Sequence, residues 1–248
     1  MASITTLVRR LSTGSREPSP FFTPWRRGGV TPGFATDERL PLTAETLRIA
    51  HFRQAPVWDD RIDHLHHAFC QTVPVGHILE FGVHKAGSLN WLARWAAKRA
   101  PASVFGFDSF EGLPEAWVRT KEGQRYAAGH FALPGLPPVE PNATLVAGFF
   151  DASLPEWLAT HPGPVALLHN DSDLYSSTRD TLRLLNDRIV PGTVIVFDEL
   201  CDWTDSGVYD NWEQGEWRAL AEWMEAFRRK IAVLSRDANY AAAIRVVE

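Results

Sequence analysis

The chain has 248 residues, of which 45% are hydrophobic and 22% are charged, and its formal net charge at pH 7 is −5. This composition is ordinary for a globular protein, and the length suits one large α/β domain with an appended segment. The negative charge argues against nucleic acid or an anionic membrane as a partner.

Cysteine usage and hydropathy narrow the compartment. The two cysteines, Cys70 and Cys201, lack a CxxC spacing, so the sequence predicts a reducing environment without a disulfide framework. No apolar run reaches the roughly 20 residues that a membrane span needs, and the N-terminus lacks the apolar core of a secretory signal. We therefore expect a cytoplasmic protein without a membrane partner.

The N-terminal segment differs in composition from the remainder. Residues 1–40 are rich in Pro, Gly, Ser and Arg, which predicts a flexible or loosely packed segment. Arg9, Arg10 and Arg16 stand among Ser and Thr, with no acidic residue before Glu17. An organellar transit peptide would fit this pattern. We favour a disordered or loosely docked bacterial tail.

Hydrophobic periodicity predicts alternating helices and strands through the rest of the chain. In chain order we expect a helix start at Thr43, a helix over 59–72, a strand over 77–83, a helix over 88–99, a strand over 103–108, loop and helix over 115–133, a strand over 144–149, a helix over 154–160, a strand from Val165, a helix over 176–188, a strand from Thr193 after a Pro-Gly turn, a helix over 215–229 and strands over 231–235 and 240–247. This order predicts an α/β fold with a doubly wound, mostly parallel sheet. The last two strands form a hairpin that would add one antiparallel edge strand.

Three histidines lie close together in the predicted helix over 59–72. His64, His66 and His67 invite a metal site, but their spacing does not place all three on one side of a helix. We therefore favour surface or partly packed histidines over metal ligands.

Two predicted buried strands end abruptly in acidic residues. In open parallel sheets, ligands bind just beyond the carboxyl ends of the strands. Four carboxylates at that edge are costly unless a cation neutralises them or some stay protonated, and a purely structural cluster of unpaired acids is disfavoured. The sequence therefore predicts a divalent-metal site beside a nucleotide-like cofactor. The four residues are Asp171, Asp173, Asp198 and Glu199.

A glycine turn follows the first long strand. Gly82 permits a tight turn, and Gly87 precedes a helix whose free N–H groups favour an anionic group. The spacing is not GxGxxG, so a cofactor with a carboxylate fits this turn better than a dinucleotide. A merely structural strand-to-helix turn is the alternative.

The next strand ends at Asp108. An acid at this position, after a glycine turn, commonly binds the hydroxyls of a ribose, and Phe110 could stack on a base. Alternatively, Asp108 caps a local turn.

Five motifs in this order resemble those of the macrocin O-methyltransferase family. They are EFGV at 80–83, DSFEGLP at 108–114, GFFDASLP at 148–155, DSDLYSST at 171–178 and FDE at 197–199. Members of this family are metal-dependent class I methyltransferases that use S-adenosylmethionine, and many act on sugars or phenols of antibiotics. The resemblance covers 75–248, which it identifies as a methyltransferase domain with a Rossmann-like fold. It also implies that 41–74 form a helical segment for a lid and an oligomer contact, and hence a homo-oligomer.

The resemblance implies a role for each matched residue. Gly82 and Gly87 would line the methionine part of the cofactor and Asp108 would bind its ribose. The full set of implied cofactor-binding residues is Glu80, Gly82, Gly87, Ser88, Asp108, Ser109, Phe110, Gly148, Phe149 and Asp171. The implied magnesium ligands are Asp171, Asp198 and Glu199, with Asp173 as a further ligand or the general base.

The chain departs from the family pattern in two places. His169-Asn170 stands where the family has Arg-Leu, and Glu199-Leu200 stands where it has Asp-Tyr. His169 could support the metal ligands or act as an auxiliary base; a packed core histidine is the alternative. Trp203, Tyr209 and Trp212 follow the acids in a predicted loop, where we expect them to form an aromatic wall for the acceptor.

These residues support three hypotheses. The first is an S-adenosylmethionine-dependent, magnesium-assisted O-methyltransferase that acts on a hydroxyl of a small molecule, a sugar or phenol of a natural product, with Asp173 as the carboxylate base. The second is a glycosyltransferase in which Asp171-Ser-Asp173 is a metal-binding DxD, which leaves the glycine turn and Asp108 unexplained. The third is a non-catalytic relative that binds the cofactor or a partner.

Overall fold

A computed structural model describes residues 28–73, 75–99 and 103–248. Its elements in chain order are β1 (Val30–Thr31), α1 (Ile49–Arg53), β2 (Val57–Trp58), α2 (Arg61–Cys70), β3 (His77–Phe81), α3 (Gly87–Arg99), β4 (Val104–Asp108), β5 (Trp117–Val118), β6 (Arg125–Tyr126), β7 (Ala143–Ala147), α4 (Phe150–Thr160), β8 (Val165–Asn170), α5 (Tyr175–Leu185), β9 (Ile189–Phe197), α6 (Glu216–Ala226), β10 (Ile231–Asp237) and β11 (Ala242–Val246). Short 3₁₀ helices cover Asn186–Arg188 and Trp212–Gln214. The predicted tail or transit peptide falls mostly outside the described residues.

The strands form a nine-stranded sheet in the order β1-β2-β10-β11-β9-β8-β3-β4-β7. Strands β9, β8, β3, β4 and β7 run parallel, and β11 pairs antiparallel with both β9 and β10. The predicted doubly wound, mostly parallel α/β fold is therefore confirmed. Strands β5 and β6 form a separate two-stranded ribbon.

The C-terminal hairpin does not form the edge of the sheet, contrary to the prediction. Strand β2 pairs in parallel with β10, with Val57 opposite Arg236, and β1 pairs with β2 beyond it. The N-terminal part of the chain thus covers the backbone groups that β10 would otherwise expose. Two-residue strands carry almost no periodic signal, which is why the sequence did not reveal them.

Side chains of the central strands alternate between two apolar layers. In β3, Leu79 and Phe81 belong to a cluster with helices α1, α4, α5 and α6, whereas Ile78 belongs to a cluster with α2 and α3. This alternation follows from the two-residue period of a strand. All six residues of β8 are buried, as expected for a central strand covered on both faces.

Several predicted boundaries are wrong for local reasons. Helix α1 begins at Ile49, because Thr43 to Thr46 form a turn in which the Thr46 hydroxyl accepts the Thr43 N–H at 2.8 Å. Helix α4 begins at Phe150 rather than residue 154. Residues 115–133 contain the β5–β6 ribbon and no helix.

The Pro-Gly pair at 191–192 is a bulge inside β9 rather than a turn before it. Pairing passes from Val165↔Ile189 to Leu167↔Val194, so β9 carries extra residues there. Gly192 has φ 93°, and the Thr193 hydroxyl donates to the Val165 carbonyl at 2.7 Å. A strand bulge tolerates both proline and a left-handed glycine.

No helix in the described part of the chain has the length and apolar character required to span a membrane. Cys70 is exposed and Cys201 is buried, and both are free thiols.

Candidate active site

The carboxyl ends of β3, β4, β8 and β9 border a cleft of ≈ 1100 Å³. That volume is large enough for a cofactor and an acceptor together. Among the predicted site residues, those that line the cleft are Gly82, Gly87, Ser88, Asp108, Ser109, Phe149, Asp171, Asp173, Asp198 and Glu199. Glu80, Phe110 and His169 are buried and do not line it, and Gly148 is half-buried and does not line it either.

Gly82 brings the glycine turn against the end of β8. Its φ is +89°, and a Cβ at this position would lie 1.6 Å from the carbonyl oxygen of Asp171. No other residue fits such an approach. Gly87 begins α3 and borders open space, with nothing within 4 Å of an added Cβ. The turn therefore leaves a cradle beside the helix N-terminus that suits the charged end of a cofactor.

Asp108 holds this turn in place. One carboxylate oxygen accepts the N–H groups of Val83 and His84 at 2.9 and 2.8 Å, and the other accepts the N–H of Phe110 at 2.7 Å. The turn-capping role is thus present. A carboxylate can accept about four hydrogen bonds, so Asp108 retains capacity for a ligand hydroxyl.

Several backbone positions around the cleft are left-handed without being glycine. They include His84 (φ 46°), Ala86 (φ 61°), Phe110 (φ 57°) and Asp173 (φ 63°). Such conformations are uncommon for residues with a side chain and concentrate at functional sites. At Asp173 this backbone conformation directs the chain into α5 immediately after the acidic motif.

The four predicted acids do meet. Carboxyl oxygens of Asp171, Asp173 and Glu199 lie within 4.8 Å of one another, and Asp171, Asp198 and His169 form a second such group. Carboxylate oxygens are the ligands that Mg²⁺ prefers. Oε2 of Glu199 is buried without a hydrogen-bond partner, which fits an oxygen atom that serves as a metal ligand.

Arg61 also belongs to this cluster, and no sequence motif predicted it there. It is the first residue of α2, whose N-cap is Asp60, and its guanidinium pairs with Asp171 and, at 2.9 Å from Nε to Oδ1, with Asp198. Its partners lie more than a hundred positions further along the chain, so no local pattern could have revealed it.

The charges in the cluster are unevenly balanced. Burial raises the pKa of Asp171 to about 6, even though Arg61 opposes the shift. Burial and neighbouring carboxylates raise the pKa of Asp173 and of Glu199 well above the usual range. For Asp198, burial is outweighed by Arg61 and His169, which lower its pKa. Arg61 therefore neutralises only part of the cluster, and the residues present fit an additional divalent cation.

His169 is buried between two of the acidic residues, Glu80 and Asp198. It is 1% exposed, and its Nδ1 lies 2.9 Å from Oε2 of Glu80 while its Nε2 lies 3.5 Å from Oδ1 of Asp198. Burial would lower the pKa of His169, but its hydrogen bonds to Asp198 and Glu80 raise it to about 10. Contacts of both ring nitrogens with carboxylate oxygens suit His169 to orienting Asp198.

The buried carboxyl group of Glu216 contacts Glu199, and no pattern in the sequence predicted this contact. Glu216, the first residue of α6, accepts the backbone N–H of Glu199 at 3.0 Å and an amide N–H of Asn170. Asn170 also donates to the Thr178 hydroxyl at 2.9 Å. The departure from the family pattern at Asn170 thus belongs to a hydrogen-bond network that fixes the ends of β8 and β9.

The aromatic wall comes from other residues than predicted. Trp203 is in the main core, 6.1 Å from the Phe52 ring, and its indole N–H donates to the Ala241 carbonyl. Tyr209 and Trp212 do not line the cleft either. The aromatic residues that line it outside the glycine turn include Trp117, Tyr126, Phe131 and Tyr240. Their loops lie far apart in sequence, which hides their convergence.

The helix α2 histidines have separate surroundings. His64 is 1% exposed and bonds the Ser235 hydroxyl at 3.1 Å, which corrects the prediction of a surface or partly packed side chain. His66 packs on Trp95 and His67 packs on Trp58.

Comparison with known proteins agrees with this geometry. The sequence profile of the macrocin-O-methyltransferase (TylF) family matches residues 50–214. The 8-demethyl-8-(2,3-dimethoxy-alpha-L-rhamnosyl)-tetracenomycin-C 4'-O-methyltransferase of Streptomyces olivaceus is 30% identical over 144 residues, which cover 50% of this chain and 52% of that relative. The chain thus spans about half the length of this curated relative.

Solved structures support the same grouping. CalS11, described as a calicheamicin methyltransferase, is 26% identical with a TM-score of 0.59, covering 74% of this chain and 76% of CalS11. Its apo form, described as a TDP-rhamnose 3'-O-methyltransferase, is 24% identical with a TM-score of 0.52 over 74% of this chain and 76% of that one, and supports the fold alone. The profile match spans well over half of the chain and confirms the resemblance seen in the five motifs. The chain belongs to the macrocin-O-methyltransferase family.

Proposed function

We propose that this chain transfers the methyl group of S-adenosylmethionine to a hydroxyl of a small molecule, with magnesium assisting. The main support is the contact between the glycine turn and the acidic cluster. The Gly82 backbone lies directly against Asp171, so the turn proposed for the cofactor and the acids proposed for the metal border the same cleft. Methyl transfer requires that proximity, because the methyl carbon must lie in line between donor sulfur and acceptor oxygen.

The glycine turn would hold the cofactor. Gly82, Gly87 and Ser88 would contact its methionine part, where the N-terminus of α3 favours a carboxylate. Asp108 would bind the ribose hydroxyls with its remaining capacity, and Ser109 and Phe149 would flank the adenine. The buried residues Phe110 and Glu80 would support this surface, and Gly148 would lie next to Phe149.

The acids would hold the metal and the acceptor. Asp171, Asp198 and Glu199 supply the oxygen ligands, and Asp173 receives the acceptor proton on a carboxylate oxygen. When bound, S-adenosylmethionine supplies the methyl group and magnesium lowers the pKa of the acceptor hydroxyl. The transferred methyl group would leave the cofactor sulfur, which keeps the C–S electron pair, and bond to the acceptor oxygen, whose proton Asp173 would take. His169 and Glu80 keep Asp198 in position throughout.

The acceptor class comes from the relatives. The Streptomyces olivaceus protein and CalS11 are both named for methylation of a rhamnose sugar. We propose a sugar or phenol of a natural product as the acceptor here, with two neighbouring hydroxyls available to the metal. We also propose a cytoplasmic homo-oligomer, with 41–74 as the lid and oligomer segment, 1–40 as a loosely packed segment and 75–248 as the methyltransferase domain. Size-exclusion chromatography with light scattering tests the oligomer.

Of the alternatives, the glycosyltransferase accounts for the acids but not for the family match. One observation still favours a non-catalytic relative: Arg61 already pairs with two of the proposed metal ligands. It predicts cofactor binding without turnover on any acceptor.

Isothermal titration calorimetry with S-adenosylhomocysteine, with and without Mg²⁺, tests the proposal. We expect binding, reduced in a Gly87→Val variant that fills the cradle but unchanged in Gly135→Val, a glycine outside the cleft that also borders open space and has no left-handed backbone. No binding to the wild-type protein would overturn the cofactor assignment. Binding without methyl transfer to any of a panel of sugars and catechols would favour the non-catalytic relative.

A further inference from the structure

Arg119 lines the cleft in a loop that the proposed mechanism does not use. Its guanidinium carbon lies 4.6 Å from the centroid of the Trp117 ring and 5.4 Å from that of Tyr209. The rings of Tyr240 and Tyr126 follow at 5.7 and 5.9 Å. Four aromatic rings therefore surround one guanidinium, which restricts its orientation by cation–π contacts.

Three separate parts of the chain build this surround. Trp117 and Tyr126 face each other across the β5–β6 ribbon, Tyr209 comes from the loop before α6, and Tyr240 comes from the β10–β11 turn. Trp117 and Tyr209 belong to a small apolar cluster that includes Leu174. Leu174 directly follows Asp173, so the same cluster positions Arg119 and the proposed base.

Within the described residues the guanidinium of Arg119 forms no hydrogen bond and no ion pair, and its Nε is buried. Its charge nevertheless acts on Asp173: burial and neighbouring carboxylates raise the pKa of Asp173, and Arg119 is among the groups that lower it. Arg61, by contrast, is paired with two carboxylates. A buried donor without an acceptor is costly, and a cleft is where a ligand can supply one.

We propose that Arg119 selects the acceptor by binding a carboxylate or phosphate group that the acceptor carries beside the hydroxyl to be methylated. This inference rests on the proposed function. A planar guanidinium matches the two oxygens of such an anion, and the surrounding rings fix its plane.

An anionic acceptor needs a cation near its binding position, because most charged residues that line the cleft are acidic. The lining contains further acids, including Asp60, Glu115, Asp180 and Asp237, which repel an anionic acceptor. Arg119 provides the compensating attraction on the side of Trp117 and Tyr240, whose rings offer apolar area to a sugar or phenol.

Three matched ligands test the inference: glucose, glucuronate and glucose 1-phosphate. Each is titrated by calorimetry into protein saturated with S-adenosylhomocysteine and Mg²⁺. We expect at least one anionic sugar to bind about tenfold or more tightly than glucose, the range of a charge-assisted hydrogen bond. Preference for glucuronate alone or for glucose 1-phosphate alone identifies the carboxylate or the phosphate as the anion.

Two variants test whether Arg119 causes the preference for anionic sugars. Arg119→Gln should abolish it, and Arg119→Lys should retain only part, because lysine keeps the charge but lacks the planar fork. Arg125→Gln changes the same charge at an exposed position of β6, outside the cleft, and should leave the preference intact.

The inference is overturned if wild-type protein binds the anionic sugars no more tightly than glucose, including the case in which it binds none of them. It is equally overturned if Arg119→Gln keeps the preference. Binding of S-adenosylhomocysteine, measured first in every variant, separates this failure from failure of the proposed function.

Discussion

The guanidinium of Arg61 lies 2.9 Å, from Nε to Oδ1, from the carboxylate of Asp198 and also pairs with Asp171. Helix α2 thereby places a cation among carboxylates that we assign to a metal. Arginine and a divalent ion cannot both take the same oxygens at full strength, so the two compete.

We expect Arg61→Gln to bind Mn²⁺ about tenfold more tightly than the wild-type protein, because partly exposed ion pairs of this kind are worth on the order of 1 kcal/mol and no longer need to be broken. Electron paramagnetic resonance of free Mn²⁺ measures the affinity. Arg53→Gln, which breaks an exposed pair with Asp205, is the matched control. Weaker binding in Arg61→Gln would show instead that Arg61 holds the ligands in place.

The two glycines of the turn should respond differently to a methyl group. Gly82→Ala forces a Cβ to within 1.6 Å of the Asp171 carbonyl at a φ of +89°, so we expect a loss of roughly 2–4 kcal/mol in the free energy of unfolding. Gly87→Ala meets no atom within 4 Å and begins a helix, so its stability should stay within about 1 kcal/mol of wild type. Urea denaturation distinguishes them; equal effects would contradict the close approach at Gly82.

His64 should make stability depend on pH. Burial, together with His67, lowers its pKa to about 3, although Asp198 acts in the opposite direction. The unfolded chain therefore binds a proton at His64 below about pH 6.5 while the folded chain does not, so this contribution to stability is present above pH 6.5 and is lost as the pH falls.

A His64→Gln variant removes this titration. We expect it to be less stable than wild type at pH 8, with a gap that narrows by up to about 1.4 kcal/mol per pH unit between pH 6.5 and 5. Urea denaturation at several pH values provides the measurement. Parallel stability curves for the two proteins would contradict a neutral, buried His64.

Asp173 carries the proposed proton transfer. With an acceptor that supports turnover, Asp173→Asn should lower kcat by roughly 10²- to 10⁴-fold, the usual contribution of a general base. Binding of S-adenosylhomocysteine should change little. Asp180→Asn, which alters another carboxylate of the cleft, serves as the control in a coupled assay of S-adenosylhomocysteine release. A comparable loss in both variants would assign Asp173 an electrostatic role only.

The sequence predicted the features that depend on short range. Strand ends at Asp171 and Asp198 follow from apolar runs of a few residues, and parallel strands bring such ends to one edge. The order of five motifs was enough to identify the family.

The features that the sequence did not predict arise from contacts between distant segments. The residues concerned are Arg61 and Glu216, which each begin a helix, and Arg119, which lies in a loop. At such positions an arginine or a glutamate is usually a solvent-exposed residue, so its type alone does not indicate a site. In the sequence, the Pro-Gly bulge in β9 is indistinguishable from a turn, because both residues favour either setting.

Strand β2 is paired with β10 and ends just before the helix that carries Arg61. Pairing of β2 in the sheet therefore fixes the chain just before Arg61, while the Arg61 side chain keeps its own rotatable bonds. Rotation of a side chain is faster than movement of a backbone segment that is paired in a sheet. We therefore expect a cation that replaces Arg61 at the carboxylates to displace its side chain and to leave the backbone of β2 in place.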